Sequence, residues 1–289
     1  MRIVTDSGAD MSLSTEEQAA LDINVVPLTV TLDGQTYREG LDITPQEFYS
    51  LLAKSKGMPV TSQPSVGSIA DTYRRLAADD PDILSIHISS GLSGTYNAAM
   101  TAAGMVPEAN VTHFDAKTLS AVVGWQVEAA ARAIKAGWAK DKILALIKRI
   151  GDASDSIYTL NELKYLIHGG RISHLKGIVA SLLNIKPLIG VEKEGGTYVQ
   201  LGRTRSFGQA VKGLVDIIAR HHTPGSALRT QVLHSFNPEG AAQLRQLVDE
   251  RFKCSWLPLG FMSLVLGAHT GPSMVGVAYA PVEAFADIP

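Results

Sequence analysis

"SIHISSGLSGTYNAA", residues 85–99, decides the fold, because it runs from a hydrophobic strand through a loop of glycine and serine into a helix. Strands that alternate with helices form mostly parallel sheets with helices on both faces. The loop contains no acid, no base and no lysine. Its polar groups are four small hydroxyl residues around two glycines: Ser89, Ser90, Ser93 and Thr95, with Gly91 and Gly94. Ligands of such sheets bind at the carboxyl ends of the strands, so this loop is a candidate site.

The alternation of strands and helices extends through the first half of the chain. Strand-like runs lie at "RIVTDS" (2–7), "INVVPLTVTLDG" (23–34), "DILSIHIS" (82–89) and "ANVTHFDA" (109–116), with helical stretches between them. After residue 153 the pattern changes to a hairpin at 186–205, a mixture of helices and strands, and a loop with a closing strand at 263–281. We therefore predict an α/β protein with a mostly parallel N-terminal α/β domain (1–153) and a C-terminal α+β domain (154–289).

Composition excludes several classes of function. The 289 residues are 45% hydrophobic and carry a net charge of -2, with no block of like charge that would bind nucleic acid or an anionic membrane. A single cysteine, Cys254, cannot form an internal disulfide, which favours a reducing compartment. The sequence shows no leader-like start and no apolar run of membrane-spanning length. We expect a cytoplasmic location.

The loop at 89–95 is interpreted as an anion site. A glycine-rich turn that leads into a helix presents backbone N–H groups and the positive end of the helix dipole. The alternative is that Thr95 simply caps the helix. "GLSGT" also resembles a nucleophile elbow with Ser93 as the nucleophile, but Thr95 stands where that turn needs glycine. No Gly-Lys pair exists anywhere in the chain, so ATP is not expected to bind here.

Three further segments carry candidate residues. "VTSQPS" (60–65) is a second hydroxyl-rich segment ahead of a helix, and it is either part of a shared pocket or an ordinary loop with Ser65 as the helix cap. "HGGRIS" (168–173) and "GAHTGPSMVG" (267–276) place an arginine and a histidine among glycines, where a structural role is the alternative. Asp6 is interpreted as the cap of the next loop. No metal-ligand spacing is present, so we expect no metal site.

With these motifs in view, the chain resembles the DegV family of bacterial fatty-acid-binding proteins. The resemblance runs end to end and is carried, in order, by six short motifs: "IVTDS", "VTSQPS", "SSGLSGTYNAA", "GGRIS", "LLNIKPLI" and "HTGP". It implies a two-domain protein with a long-chain fatty acid between the domains. The family often has a glycine where this chain has Ser273, which leaves the preferred chain length open.

The resemblance also implies roles for particular residues. The carboxylate would be bound by hydroxyls and backbone groups of the two loops, with a histidine close by: Thr61, Ser62, Ser93, Gly94 and His269. Arg171 matches a family position linked to docking of a partner kinase. In this interpretation the chain is the non-catalytic subunit of a fatty acid kinase, binds no cofactor of its own, and contacts membranes at most transiently. The ATP-binding subunit holds ATP and Mg2+ and makes an acyl phosphate for phospholipid synthesis.

The chemistry of this assignment suits a loop without a base. A fatty acid is already ionised at neutral pH, so it needs orientation rather than deprotonation before it attacks a phosphate. Apolar residues expected to line the tail tunnel, unless they are plain core, are Leu182, Leu183, Ile185, Phe261, Met262, Leu264, Val265 and Leu266. Two rival hypotheses remain: a serine hydrolase that uses Ser93, and a carrier of another small amphipathic acid. The oligomeric state is left open.

Overall fold

The computed structural model describes residues 1–175 and 185–289. The stretch "HLKGIVASLLN" (174–184), which the sequence predicts to be a helix, lies largely outside the described residues, and Leu182 and Leu183 lie outside them as well. In the first half the elements are β1 (Arg2–Asp6), α1 (Thr15–Ala20), β2 (Ile23–Val26), β3 (Thr29–Leu32), β4 (Gln35–Arg38), α2 (Pro45–Lys54), β5 (Val60–Ser62), α3 (Val66–Ala77), β6 (Asp82–His87), α4 (Thr95–Ala103), β7 (Asn110–Asp115), α5 (Ala121–Lys135) and α6 (Lys140–Ala153).

The second half begins with β8. Its described elements are β8 (Asp155–Thr159), α7 (Lys164–His168), a 3-10 turn (Arg171–His174), β9 (Lys186–Val191), β10 (Tyr198–Thr204), α8 (Phe207–His221), β11 (Ala227–His234), α9 (Pro238–Asp249), β12 (Lys253–Trp256), β13 (Gly260–Phe261), α10 (Leu264–Thr270), β14 (Val275–Pro281) and a closing 3-10 turn (Val282–Phe285).

The N-terminal sheet confirms the predicted parallel arrangement. Its order is β2-β1-β6-β7, and every neighbouring pair is parallel. The second sheet, of order β10-β9-β8-β14-β11-β12 with β13 beside β11, is mainly antiparallel, as an α+β arrangement requires. The fold is therefore α/β, with a parallel sheet in the first half and an α+β part in the second.

Helices separate and cover the two sheets. Helix α5, almost entirely buried, contacts β1 and β6 of the first sheet and β8 of the second. The indole N–H of Trp125 in α5 donates to the side-chain oxygen of Gln231 in β11 at 3.0 Å. One hydrophobic core runs through this layer and includes residues from both halves, such as Leu84 and Tyr158. Helices α3 and α4 pack on the outer face of the first sheet, and α8 and α9 on the outer face of the second.

Two predicted elements were wrong in detail. The run 23–34 is not one strand: β2 ends before Pro27, and β3 belongs to a separate antiparallel sheet of order β4-β3-β5. Proline lacks the N–H that a ladder needs, which explains the break. The segment before "GPS" is helix α10 rather than loop, with Ser263 as its N-cap. Position 267 of this helix is a glycine because the Tyr49 hydroxyl packs against it. A Cβ at that position would lie 1.9 Å from the hydroxyl oxygen.

Candidate ligand-binding site

A cleft of ≈ 270 Å³ lies at the carboxyl edge of the parallel sheet. Loops after β2, β5, β6 and β7 form one side of it, and residues of the second half, including three from α10, form the other. The lining residues are Leu28, Thr61, Ser62, Gln63, Ile88, Leu92, Ser93, Gly94, Leu119, Arg171, Tyr198, Val265, Leu266 and His269. All five predicted carboxylate-site residues, Thr61, Ser62, Ser93, Gly94 and His269, are therefore brought together around one cleft.

The two halves of the chain meet in the cleft through Thr61 and His269. Thr61 belongs to β5, whose pairing with β3 fixes it opposite Val30. The Thr61 hydroxyl lies 3.0 Å from Nε2 of His269 in α10, within hydrogen-bonding distance. Residue 61 thus lies on a strand rather than in the predicted loop, which holds its hydroxyl in a defined position.

His269 is a neutral group in this environment. Burial, together with the nearby charges of Arg171 and His168, lowers the pKa of His269 to about 4. Its Nδ1 has no hydrogen-bond partner among residues 1–175 and 185–289. The ring lies against Gly169, where a Cβ would come within 2.0 Å of Nδ1. His269 can therefore donate or accept one hydrogen bond at each nitrogen at neutral pH without carrying charge.

The loop at 89–95 presents one hydroxyl and one amide to the cleft. The N–H groups of Leu92 and Ser93 both bond to the Ser89 carbonyl oxygen, so the turn itself uses them. The Ser93 hydroxyl lies 2.8 Å from that of Thr95. Thr95 is fully buried and is the first residue of α4, whose N-cap is Gly94, so the interpretation of Thr95 as the cap was wrong. The Ser93 hydroxyl and the Gly94 amide remain as ligand candidates.

Gln63 lines the cleft and was not among the predicted site residues. A Cβ on Gly94 would lie 1.9 Å from the Gln63 side-chain oxygen, so only a glycine at position 94 leaves room for the Gln63 side chain to pack against the loop. The sequence contained a signal for it, since Gln63 stands within the hydroxyl-rich "VTSQPS" segment. Ser65, by contrast, caps α3 by accepting from the Ser68 N–H, as the ordinary-loop interpretation predicted.

Arg171 joins two loops at the edge of the cleft. Its Nη1 donates to the Gly169 carbonyl at 2.6 Å and its Nε to the Leu92 carbonyl at 3.3 Å. It also lines an open groove outside the cleft, together with the 90–94 loop, Gly170 and His174. Arg171 therefore lies where the cleft meets the open groove.

The apolar side of the cleft matches the predicted tail residues only in part. Val265 and Leu266 line it, but Leu264 packs with Tyr49 in a separate core, and the Phe261 ring stacks on Tyr49. Leu28, Ile88, Leu92, Leu119 and Tyr198 were missed, because each follows a strand or lies in another sheet and nothing local marks it. Ser273 is not among the lining residues, and its hydroxyl accepts from the Asn161 N–H.

A row of side chains with the hydrogen-bond order of a serine hydrolase lies elsewhere. Asp6 lies 2.9 Å from Nδ1 of His87, and Nε2 of His87 lies 2.8 Å from the Ser85 hydroxyl. All three are fully buried and line none of the clefts described here. Asp6 also accepts from the N–H groups of Gly8 and Ile88, so it fixes the loops after β1 and β6, as its interpretation as a loop cap requires. Ser93, the predicted hydrolase nucleophile, bonds to Thr95 rather than to a histidine.

The described residues also show whether a metal site or a membrane-spanning helix is present among them. Within residues 1–175 and 185–289, no cluster of three histidine, cysteine, aspartate or glutamate residues could hold a metal ion. Across the same part of the chain, no helix is long and apolar enough to cross a bilayer. Cys254 is half-buried, and burial raises the pKa of its thiol, so it lacks the features of a reactive cysteine.

The fold and the cleft define a class: an α/β protein with a small-molecule site that is lined by both polar and apolar side chains. The DegV family model, described as "Uncharacterised protein, DegV family", matches residues 1–282. A DegV domain-containing protein of Staphylococcus aureus (strain N315) is 33% identical over 277 residues, which cover 95% of this chain and 96% of the relative. The chain belongs to the DegV family.

Solved structures agree with this assignment. A structure from Thermus thermophilus, described as "Fatty Acid Binding of a DegV family Protein", is 30% identical, covers 97% of this chain and 100% of its own, and has a TM-score of 0.81. "DegV, a fatty acid binding protein" from Bacillus subtilis is 26% identical, covers 96% and 98% respectively, and has a TM-score of 0.84. These two proteins are similar to the chain over nearly its whole length.

Proposed function

We propose that this protein binds a long-chain fatty acid, with the carboxylate at Thr61, Ser93 and His269. The observation that carries the proposal is the pairing of two hydroxyls and a neutral imidazole with an apolar wall in one cleft. The fatty-acid-binding descriptions of the Thermus and Bacillus relatives support it. Ser62, Gly94 and Gln63 lie at the same end of the cleft and complete the polar side.

Neutral donors suit an ionised head group that must stay reactive. Hydroxyl and imidazole N–H groups orient a carboxylate and leave lone pairs on its oxygens free. A bidentate arginine would bind more strongly but would occupy both oxygens. Arg171 lines the cleft, but two of its nitrogens are already used by the carbonyl oxygens of Gly169 and Leu92.

Most of the binding free energy would come from the tail. Burial is worth about 0.8 kcal/mol per CH2, so some fifteen methylenes contribute on the order of 10 kcal/mol before the costs of binding. Leu28, Ile88, Val265 and Leu266 supply apolar surface beside the polar end. The tail therefore determines affinity, and the hydroxyls determine where the carboxylate stands.

We further propose that the bound acid is presented to a separate ATP-dependent kinase subunit, which holds the ATP and Mg2+. A carboxylate oxygen attacks the γ-phosphorus of ATP, the bond to the β,γ-bridging oxygen breaks, and ADP leaves, which yields an acyl phosphate. The open groove beside Arg171, formed by the 90–94 loop, Gly170 and His174, supports this step, because it gives a partner access to the carboxylate end of the cleft.

Native mass spectrometry of the purified protein tests lipid binding directly. We expect a mass above that of the chain by one fatty acid, and the same acid after solvent extraction. A clean ligand-free mass with no extractable acid would show that the proposal is wrong. The same spectra test the rival carrier hypothesis, which predicts a different amphipathic acid.

Kinase presentation needs a reconstituted assay. Acyl-phosphate formation from the loaded protein, ATP and an added fatty acid kinase subunit is measured with the wild type and Arg171→Ala, after both are shown to retain equal lipid. We expect the variant to lose most of the turnover. Unchanged turnover would exclude the docking role of Arg171. Turnover of a simple ester by the chain alone, abolished in Ser93→Ala, would instead favour the hydrolase hypothesis.

A further inference from the structure

Two carboxylates of the N-terminal half bind the start of helix α10. The Ser263 N–H donates to Oδ1 of Asp10 at 2.8 Å, and the Leu264 N–H donates to Oε1 of Glu39. Both N–H groups lie at the beginning of a helix, where backbone donors have no partner within the helix. The two acids are distant in sequence from α10, so the contact joins the two halves of the chain.

The second oxygen of each acid is also bound. Oε2 of Glu39 accepts from the Ser7 hydroxyl at 2.8 Å, and Oδ2 of Asp10 accepts from the Ser120 hydroxyl at 2.5 Å. Ser120 is fully buried and has a φ of 62°, a conformation that costs a non-glycine residue free energy. The backbone is thus held in an unfavourable conformation at the residue that orients Asp10. Each carboxyl group is therefore held by two hydrogen bonds, one from the start of α10 and one from a serine hydroxyl.

Helix α10 carries one wall of the cleft. Its Val265, Leu266 and His269 line the cleft, and the Tyr49 hydroxyl donates to the carbonyl oxygen of Met262, just before the helix, at 2.8 Å. Five residues at 1.5 Å rise separate Leu264 from His269, so a tilt of about 10° at the first turn moves the imidazole by about 1 Å. A shift of that size is enough to break the hydrogen bond between His269 and Thr61.

We propose that Asp10 and Glu39 form a carboxylate clasp that positions α10, and through it His269 and the apolar wall, for the bound fatty acid. The inference rests on the proposed function for its ligand, but not for its effect on α10. Asp10 and Glu39 are positioning residues, since neither lines the cleft. Their loss would loosen the site without removing any group that touches the ligand.

Burial makes the ionised form of both acids of the clasp unfavourable. Burial raises the pKa of Glu39 to about 8 and the pKa of Asp10 to about 7. The titratable groups that face the pair are Asp6 from β1 and Tyr49 from α2, and within the described residues neither acid has an ion-pair partner. Ionisation of both acids would place like charges together without a cation. Rising pH therefore favours an arrangement in which water separates the acids from α10.

The first test uses delipidated protein and the Hε1 NMR resonance of His269, assigned by its loss in His269→Gln. We expect Glu39→Ala and Asp10→Ala to shift this resonance, and the isosteric Glu39→Gln and Asp10→Asn to restore the wild-type position. The matched control is Glu128→Gln, a partly buried carboxylate that joins the halves through Arg229 but does not contact α10. An unmoved His269 resonance in both alanine variants would overturn the proposal, whether or not the protein binds lipid.

The second test measures release of palmitate and oleate into lipid vesicles. Glu39→Ala should release at least fivefold faster than the wild type, because it leaves a buried N–H without a partner. Glu39→Gln and Glu128→Gln should stay within twofold. The wild-type rate should rise between pH 6 and 9, and the double variant Asp10→Asn/Glu39→Gln should not follow that rise. An equal pH dependence in the double variant would overturn the clasp, whereas absence of bound lipid in every protein would refute the proposed function alone.

Discussion

Substitution of Gly169 by alanine tests the carboxylate end of the site with a single added methyl group. Gly169 has ordinary helical torsions, with φ of -73° and ψ of -4°, so alanine strains no backbone there. Its Cβ, however, would lie 2.0 Å from Nδ1 of His269, and ordinary contact begins at 3.4 Å. The imidazole must therefore withdraw by about 1.4 Å if the backbone stays in place.

A displacement of this size is enough to break the hydrogen bond between His269 and Thr61. The Thr61 hydroxyl and Nε2 of His269 are 3.0 Å apart, and a shift of that size ends the contact unless both residues move together. Overpacking costs about 1–3 kcal/mol of stability, and loss of a hydrogen bond about 1 kcal/mol. We therefore expect fatty-acid binding to weaken roughly five- to tenfold, since about 1.4 kcal/mol corresponds to a factor of ten.

The assay is displacement of a fluorescent fatty acid from delipidated protein, with urea unfolding as the measure of stability. Gly208→Ala is the matched control, because no heavy atom lies within 4 Å of a Cβ at Gly208. The double variant with His269→Ala removes the clash, so Gly169→Ala should then cost almost nothing further. Wild-type affinity in Gly169→Ala, or an equal loss in both backgrounds, would refute the assignment of His269 to the carboxylate end.

Three more predictions concern other residues. Ser93→Ala should weaken fatty-acid binding about fivefold, because one hydrogen bond is lost, and it should leave ester turnover at zero. An unchanged dissociation constant in a displacement assay would contradict this prediction. Between about pH 5 and 7 the free energy of unfolding, measured in urea, should fall by up to about 1.4 kcal/mol per unit for each raised group, because folded Glu39 and Asp10 keep protons that the unfolded chain releases. Glu39→Gln should flatten that slope. A free energy of unfolding that rises with pH in this window would show that the pKa values of the two acids are not raised in the folded protein. Cys254 should react with a thiol reagent at pH 7 far more slowly in the folded than in the unfolded protein, and equal rates would show that burial does not protect it.

The sequence was sufficient for the architecture because the architecture depends on local patterns. Alternating strands and helices predicted the parallel sheet. The start of α2 is likewise a local feature, since Thr44 caps the helix and Pro45 is its first residue. The same reasoning failed at Pro27, where one apolar run serves two sheets, and at α10, whose glycine resembled a loop signal. Gly267 is there because Tyr49 approaches the helix, which is a long-range contact that no local pattern records.

The candidate site divides in the same way. The Ser93 loop lies directly after β6 of the parallel sheet, where the alternation of strands and helices places a ligand loop. Thr61 lies on β5 of the separate antiparallel sheet, so the predicted parallel sheet alone does not explain why the two residues line one cleft. The apolar wall could not be predicted, because Leu28 and Leu119 reach the cleft from separate loops and Tyr198 from another sheet. The contact of Glu39 with Leu264 spans 225 residues of sequence and depends on the packing of α10 against β3, β5 and α2.

We propose that one fatty acid occupies the cleft with its carboxylate at Thr61 and His269. The most direct measurement is native mass spectrometry of the purified wild type beside a Thr61→Val/His269→Ala variant of the same fold. We predict one bound fatty acid per chain in the wild type and a clear loss of that species in the variant. A ligand-free wild type, or equal retention in both proteins, would contradict the account.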